Sequence, residues 1–233
     1  VNVADALRTG TRIGLIGQRI DFFWSTIVNE AELLQRFNVE VLPFDMVDFI
    51  ADAKQRATEN RSAYLRETAA LRRRFEVVDL DDRTLANVLA VRDQILALAH
   101  GHDLEGVAFQ TFMSVVDAMG AYCIFAEGEV AEHVALALES DIHGALTGVL
   151  LRRAALNRTP AWLAEFTVRH PSNDNAALLW HAGAPLSLRH PDSEVTIGHH
   201  WILPSPLSGM THFRLQDGPI TVARFDGETN DYR

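Results

Sequence analysis

Cysteine is almost missing from these 233 residues, with Cys123 the single example. An internal disulfide is therefore excluded, as is a cysteine-rich zinc site, and nothing calls for an oxidising compartment. Basic residues are also short, with 21 Lys and Arg against 31 Asp and Glu and a net charge of −10. Non-specific nucleic-acid binding relies on clustered cations and is disfavoured. The one basic run, Arg72-Arg73-Arg74, falls at the end of an expected helix, where the helix dipole favours cations. No apolar run approaches the ~20 residues that cross a bilayer, so no membrane partner is expected. The start, Val1-Asn2-Val3-Ala4-Asp5, lacks the basic and apolar regions of a signal peptide, which points to a cytoplasmic location. It also lacks an initiator Met, so a processed product or a piece of a longer protein is expected.

Several chemical signatures are absent too. No His-x-x-x-His or His-Glu-x-x-His spacing occurs, against a zinc protease. No Gly-x-Ser-x-Gly elbow occurs, against an α/β-hydrolase. There is no Walker loop. Gly14 and Gly17 supply only part of a dinucleotide fingerprint, so Arg12–Gly17 reads more simply as a buried first strand leaving through glycine.

Hydrophobic residues make up 48% of the chain, enough for a sizeable core. Arg12–Gly17, Val39–Pro43, Phe75–Leu80, Gly106–Gln110 and Val134–Leu138 read as strands. Ile27–Phe37, one long Gly- and Pro-free stretch Asp45–Arg74, Leu85–Ala99 and Ala145–Asn157 read as helices, with Asp81 or Asp82 capping the third. A further helix is expected in or near Asp117–Tyr122. Strands alternating with helices imply an α/β fold, a Rossmann-like parallel sheet with helices on both faces. After about residue 160 the texture changes to short alternating runs: Ala161–Val168, Ala176–Trp180, Glu194–Ile202, Met210–Leu215 and Ile220–Phe225. These begin a mostly antiparallel β domain, with Pro171–Asn175 at the junction. The domains are thus 1–160, carrying the site, and 161–233, an incomplete β domain.

The chain converges on 125–147. An acidic run, Glu127, Glu129 and Glu132, precedes the apolar strand Val134–Leu138. Glu139-Ser140-Asp141 then opens a helix. Ligands of open α/β sheets bind outside the carboxyl ends of strands. In an extended backbone Glu139 and Asp141 point to one face, where two carboxylates repel unless a cation or proton intervenes. The plainer reading makes Asp141 a helix N-cap and Glu139 a solvated strand end. With Gln110 at the end of another strand, the set is rich in oxygen and suits a hard cation. The late histidines include His181 in Trp180-His181-Ala182-Gly183-Ala184-Pro185, where a hydrogen-bonded structural role competes with a ligand role. His199 and His200 are adjacent, so on a strand they face opposite sides.

Glu139-Ser140-Asp141-Ile142-His143-Gly144-Ala145-Leu146-Thr147 resembles the C-E-x-D-x-x-G-A-L-T segment of L-fucose isomerase-like proteins. Asp174-Asn175 with His181-Ala182-Gly183-Ala184-Pro185 resembles that family's D-N … H-C-G-x-x-P segment. Arg12–Gly17 with Glu30 and Glu32 is similar to the opening of its second domain. Leu138 and Ala182 stand where the family has Cys. The family's final metal-binding His would lie beyond Arg233, and its first α/β domain before Val1. The resemblance implies a manganese-dependent aldose–ketose isomerase acting on a monosaccharide through a cis-enediol, and a homo-oligomer for the full-length protein. It makes Asp141 a metal ligand and proton carrier, and Glu127 the second ligand and catalytic carboxylate, in preference to Glu129 or Asp117. Gln110, Glu139 and His181 would contact the sugar. The competing reading is a non-catalytic sugar-binding or regulatory relative with an incomplete metal site.

Overall fold

The computed structural model describes residues 2–112, 114–202, 205–228 and 231–232; Thr229, Asn230 and Arg233 of the polar end lie outside them. A short helix α1 (Asn2–Thr9), not expected from the sequence, leads into strand β1 (Thr11–Ile16). Helix α2 (Glu30–Phe37) begins at Asn29, whose side chain accepts from the Glu32 amide, and ends at the left-handed Asn38. Strand β2 (Val39–Phe44) follows.

The expected single helix over 45–74 is two, α3 (Met46–Glu59) and α4 (Arg61–Arg74). The break is Asn60, whose side-chain amide donates to the Arg56 carbonyl while its own carbonyl starts the next helix. Asn bonds its neighbouring backbone this way and so interrupts helices. Strand β3 is only Glu76–Val77, because Asp79 turns the chain at a φ of 48°. Helix α5 (Asp82–Gly101) is capped by Asp81, 2.7 Å from the Thr84 amide. Then come β4 (Gly106–Phe109), α6 (Ser114–Met119), α7 (Ile124–Ala131), β5 (Ala135–Leu138) and α8 (Ile142–Ala154).

The parallel sheet has the order β2-β1-β4-β5. Its strands alternate between two cores. Val107, Phe109, Leu136 and Leu138 face the core shared with α3, α5 and α7. Ala108, Ala135 and Ala137 face the smaller core shared with α8. Both faces are covered, so β4 and β5 are buried at every position. From β1 the sheet grows one way to β2 and the other way to β4. The carboxyl ends of β1 and β4 therefore form a topological switch point, where such folds place ligands.

The C-terminal part is antiparallel. Strands β6 (Glu165–Arg169) and β7 (Ala177–Trp180) make a two-stranded ribbon. Strands β8 (Thr196–His199) and β9 (Ser208–His212) pair with each other, and β8 also pairs in parallel with β3. This sheet is fastened to the α/β layer: the Tyr122 amide donates to the Ser208 carbonyl at 2.9 Å. Gly209, at a φ of 118°, passes so close that any side chain there would strike the Tyr122 backbone. Residues 220–225, expected as a strand, form none. They run as an extended strap, and the Phe225 amide donates to the Thr147 hydroxyl of α8 at 2.9 Å.

Candidate active site

The acidic run is helical, and that decides where each acid goes. Glu127 lies on the inner face of α7 and is wholly buried. Glu129 turns to Arg92, 2.8 Å away, in a network that also holds Glu67 and Asp93. Glu132 accepts from the Ser187 amide and hydroxyl, both at 2.7 Å. Asp117 is exposed on α6. Of these acids, only Glu127 enters the interior.

Neither Glu127 carboxylate oxygen has a hydrogen-bond partner of good geometry among the described residues. Burial pushes its pKa up to about 8; the nearby Thr111 side chain works against the shift and the charge of Glu139 adds to it. An acid so buried holds its proton at neutral pH. Glu139 is pushed up to about 7, by burial first and then by the charges of Glu165 and Asp141.

The backbone between β5 and α8 is not extended, which corrects the same-face argument for Glu139 and Asp141. Glu139 and Ser140 both adopt left-handed conformations, φ 65° and 58°. Two such residues are unfavourable for L side chains. They are held by the Ser140 amide on the Phe109 carbonyl at 3.1 Å and the Ser140 hydroxyl on the Gln18 carbonyl at 2.9 Å. This kink swings Asp141 into the N-cap of α8, where it accepts from the Gly144 amide at 2.9 Å. The cap is only part of its role. Arg224, from the strap, grips the same carboxylate with two nitrogens, one of them at 3.1 Å from Oδ1. Two further contacts hold the strap: Asp226 lies 3.3 Å from His143 Nδ1, and Phe225 packs edge-on against Phe37.

Gln110 sits at the switch point and donates to the Gln18 carbonyl at 2.9 Å. His181 rests against the Ala182 carbonyl, to which Trp162 also donates. Burial lowers the pKa of His181, while the charges of Glu165 and Asp141 pull it back upward. The segment that follows forms a wall of the site. Gly183 lies against Glu127 and Leu138, and Gly128 leaves room for the Ala184 carbonyl, which a Cβ would meet at 2.8 Å. Electrostatics therefore tie Glu127, Glu139, Asp141, Glu165 and His181 into one neighbourhood, with Gln110 at its sheet-side edge.

Among the described residues no three His, Cys, Asp or Glu side chains converge to hold a metal ion. Individually, the Glu127 carboxylate, buried and without a well-formed bond, fits a hard cation. Asp141 fits one only if Arg224 withdraws, since a guanidinium already supplies the opposing charge. Sequence reasoning missed Arg224, Glu165 and Thr111. Arg224 stands 83 residues from Asp141 and carries no local motif.

No protein-family model matches the chain. It is similar to sulfoquinovose isomerases. The protein of that name from Alkalicoccus urumqiensis is 27% identical over 224 residues, covering 95% of this chain and 49% of the relative. Those of Priestia aryabhattai and Priestia megaterium (strain ATCC 12872 / QMB1551) are 23% identical over 225 residues, with the same coverage. The chain spans about half the length of these curated relatives. Among the described residues no helix is long and apolar enough to cross a membrane.

Proposed function

We propose that the chain carries part of the active site of an aldose–ketose sugar isomerase of the L-fucose isomerase-like kind. Its substrate would be sulfoquinovose, a hexose with a sulfonate in place of its 6-hydroxyl, or a sugar close to it. The observation that carries this reading is the carboxyl pair in unlike settings, Glu127 buried without a well-formed hydrogen bond and Asp141 paired with a cation. Acid–base catalysis needs a proton donor and a proton acceptor on either side of the reacting carbons. The similarity to sulfoquinovose isomerases supports it independently.

With Arg224 withdrawn, Asp141 takes the proton from C2 of the open-chain aldose. The C2–H electron pair becomes the C1–C2 double bond of a cis-enediol, and protonated Glu127 donates to O1. The enediol then loses the proton on O2 and gains one at C1, giving the ketose and returning both acids to their starting states. Gln110, Glu139 and His181 orient the sugar hydroxyls, and the Gly183 wall keeps water from Glu127. A divalent cation, manganese by the family resemblance, would displace the Glu127 proton and be held by the Glu127 and Asp141 carboxylates. When bound it would supply Lewis-acid polarisation of the sugar oxygens. Oligomeric assembly and a cytoplasmic setting belong to the same proposal.

The test is isomerisation in D2O, following deuterium at C1 of the product. Asp141→Asn keeps the cap, since Asn caps helices about as well as Asp. It is expected to cut turnover at least ~100-fold, the lower end for loss of a general base, in a protein with unchanged circular dichroism. Near-normal turnover in that variant would sink the assignment. The second reading, a non-catalytic sugar-binding relative, is favoured by one observation, the closure of Arg224 on Asp141. It requires sugar binding without deuterium incorporation in the wild-type protein.

A further inference from the structure

His181 and Ala184, from the segment that packs against Glu127 and Gly128, also line a pocket of about 500 Å³. Its size is that of a small-molecule site. Three tryptophans line it, Trp162, Trp180 and Trp201, with His181, His212 and Arg214. The walls are positioned by specific contacts. Trp201 stacks flat on His212, with ring centroids 4.3 Å apart and 11° between planes. Trp162 is fixed by its bond to the Ala182 carbonyl. Arg214 has its backbone pinned at both ends: its amide donates to Ser193 Oγ at 2.8 Å and its carbonyl accepts from the His190 amide at 2.8 Å.

Flat aromatic faces beside polar groups suit a sugar, whose ring presents C–H bonds on its faces and hydroxyls at its edge. The pocket adds one fixed charge to that. Burial lowers the pKa of His181 and His212, which favours their neutral, hydrogen-bonding form. Arg214 supplies that charge. It is bound to Asp217, three residues on and exposed to solvent. A solvated pair of that kind is weak and exchangeable. A guanidinium released from it presents a planar fork of donors that matches a tetrahedral oxyanion.

We propose that this pocket is a subsite for the far end of the sugar, in which Arg214 binds an anionic group on C6 and the tryptophans cover the neighbouring carbons. The inference rests on the isomerase reading for the position of the sugar's other end: C1 and C2 meet Glu127 and Asp141, and C6 passes His181 into the pocket. The shared chemistry is a hexose with a terminal tetrahedral anion, sulfonate or phosphate.

The test is calorimetric titration of the protein with sulfoquinovose, glucose 6-phosphate and glucose. At least one of the two anionic sugars should bind about tenfold or more tightly than glucose, and the tighter of them identifies the anion. Arg214→Ala should erase that preference and leave glucose binding unchanged. Asp217→Asn, which frees the guanidinium, should widen it. Trp201→Ala should weaken all three sugars alike. Equal binding of the three sugars by the wild-type protein would overturn the subsite, as would a preference that survives in Arg214→Ala with native circular dichroism. Binding is read without turnover, so the two ideas fail separately. A protein that isomerises nothing can still show the anion preference, and an active isomerase can lack it.

Discussion

Strands β5 and β7 have nearly the same composition, Ala-Leu-Ala-Leu and Ala-Leu-Leu-Trp, and opposite fates. Every residue of β5 is buried, whereas Ala177 and Leu178 of β7 are exposed and Leu179 and Trp180 only half-buried. The difference lies in what comes next along the chain. Strand β5 is followed by α8, which folds back across its sheet, while α5 and α7 close the opposite face. Among the described residues β7 pairs only with β6, whose five residues are all exposed, including Phe166 at 70% and Val168 at 59%. Burial is thus conferred by the crossover helices and not by the strand. The candidate site lies along the border between the two regimes, with Glu127 and Asp141 on the sealed side and His181 on the open one.

The sharpest way to probe the sealed side is its buried acid. Glu127 has an ordinary carboxyl pKa of 4.5 when unfolded and about 8 when folded, so the folded state binds the proton more tightly. Its favourable contribution is complete below pH 4.5 and is lost as pH rises through 8; Glu139 adds to the same slope. Glu127→Gln should therefore flatten the fall in stability between those values. It should stabilise the protein at pH 8.5 by up to about 5 kcal/mol, since each tenfold difference in proton affinity between the two states is worth about 1.4 kcal/mol. Urea unfolding at pH 5 and pH 8.5 measures this, and identical slopes in variant and wild type would refute it. The open side has the opposite sign. Burial lowers the pKa of His181, His200 and His212, so their contribution is lost as pH falls through the ordinary histidine value of 6.5.

A smaller effect comes from packing. Phe109→Ala empties a fully buried site on β4 that faces Phe49 and should cost about 3–5 kcal/mol in denaturant unfolding. A loss under about 1 kcal/mol would mean that the core around it collapses to fill the space. The smallest effect is expected on the ribbon. Phe166→Ala, at a site 70% exposed, should change stability by no more than about 0.5 kcal/mol in this chain. A larger loss would show that the ribbon is packed in solution after all.

The sealed side was largely legible in the sequence because periodicity reports burial when both faces are covered. The runs at 12–17, 39–43, 106–110 and 134–138 all became strands of one parallel sheet. Asp81 and Asp141 announced their helices as caps do. The inward aim of Glu127 was not legible. Glu127, Glu129 and Glu132 read only as an acidic run, and it is the turn of α7 that separates these acids onto different faces. Nor was the turn at Glu139-Ser140, since a left-handed pair at non-glycine residues has no compositional signal. The grip of Arg224 on Asp141 is a tertiary fact, set by a strap that the alternating pattern of 220–225 presents as a strand.

The near-contact of Gly209 with the Tyr122 backbone bears on how the molecule moves. A seam with no room for a methyl group cannot act as a hinge, and β3 threads a strand from the α/β layer into the sheet beyond it. The two regions should therefore melt together, and opening the site need not separate them. The strap at residues 224–226, by contrast, is fastened through side chains, to α8 at Asp141, His143 and Thr147.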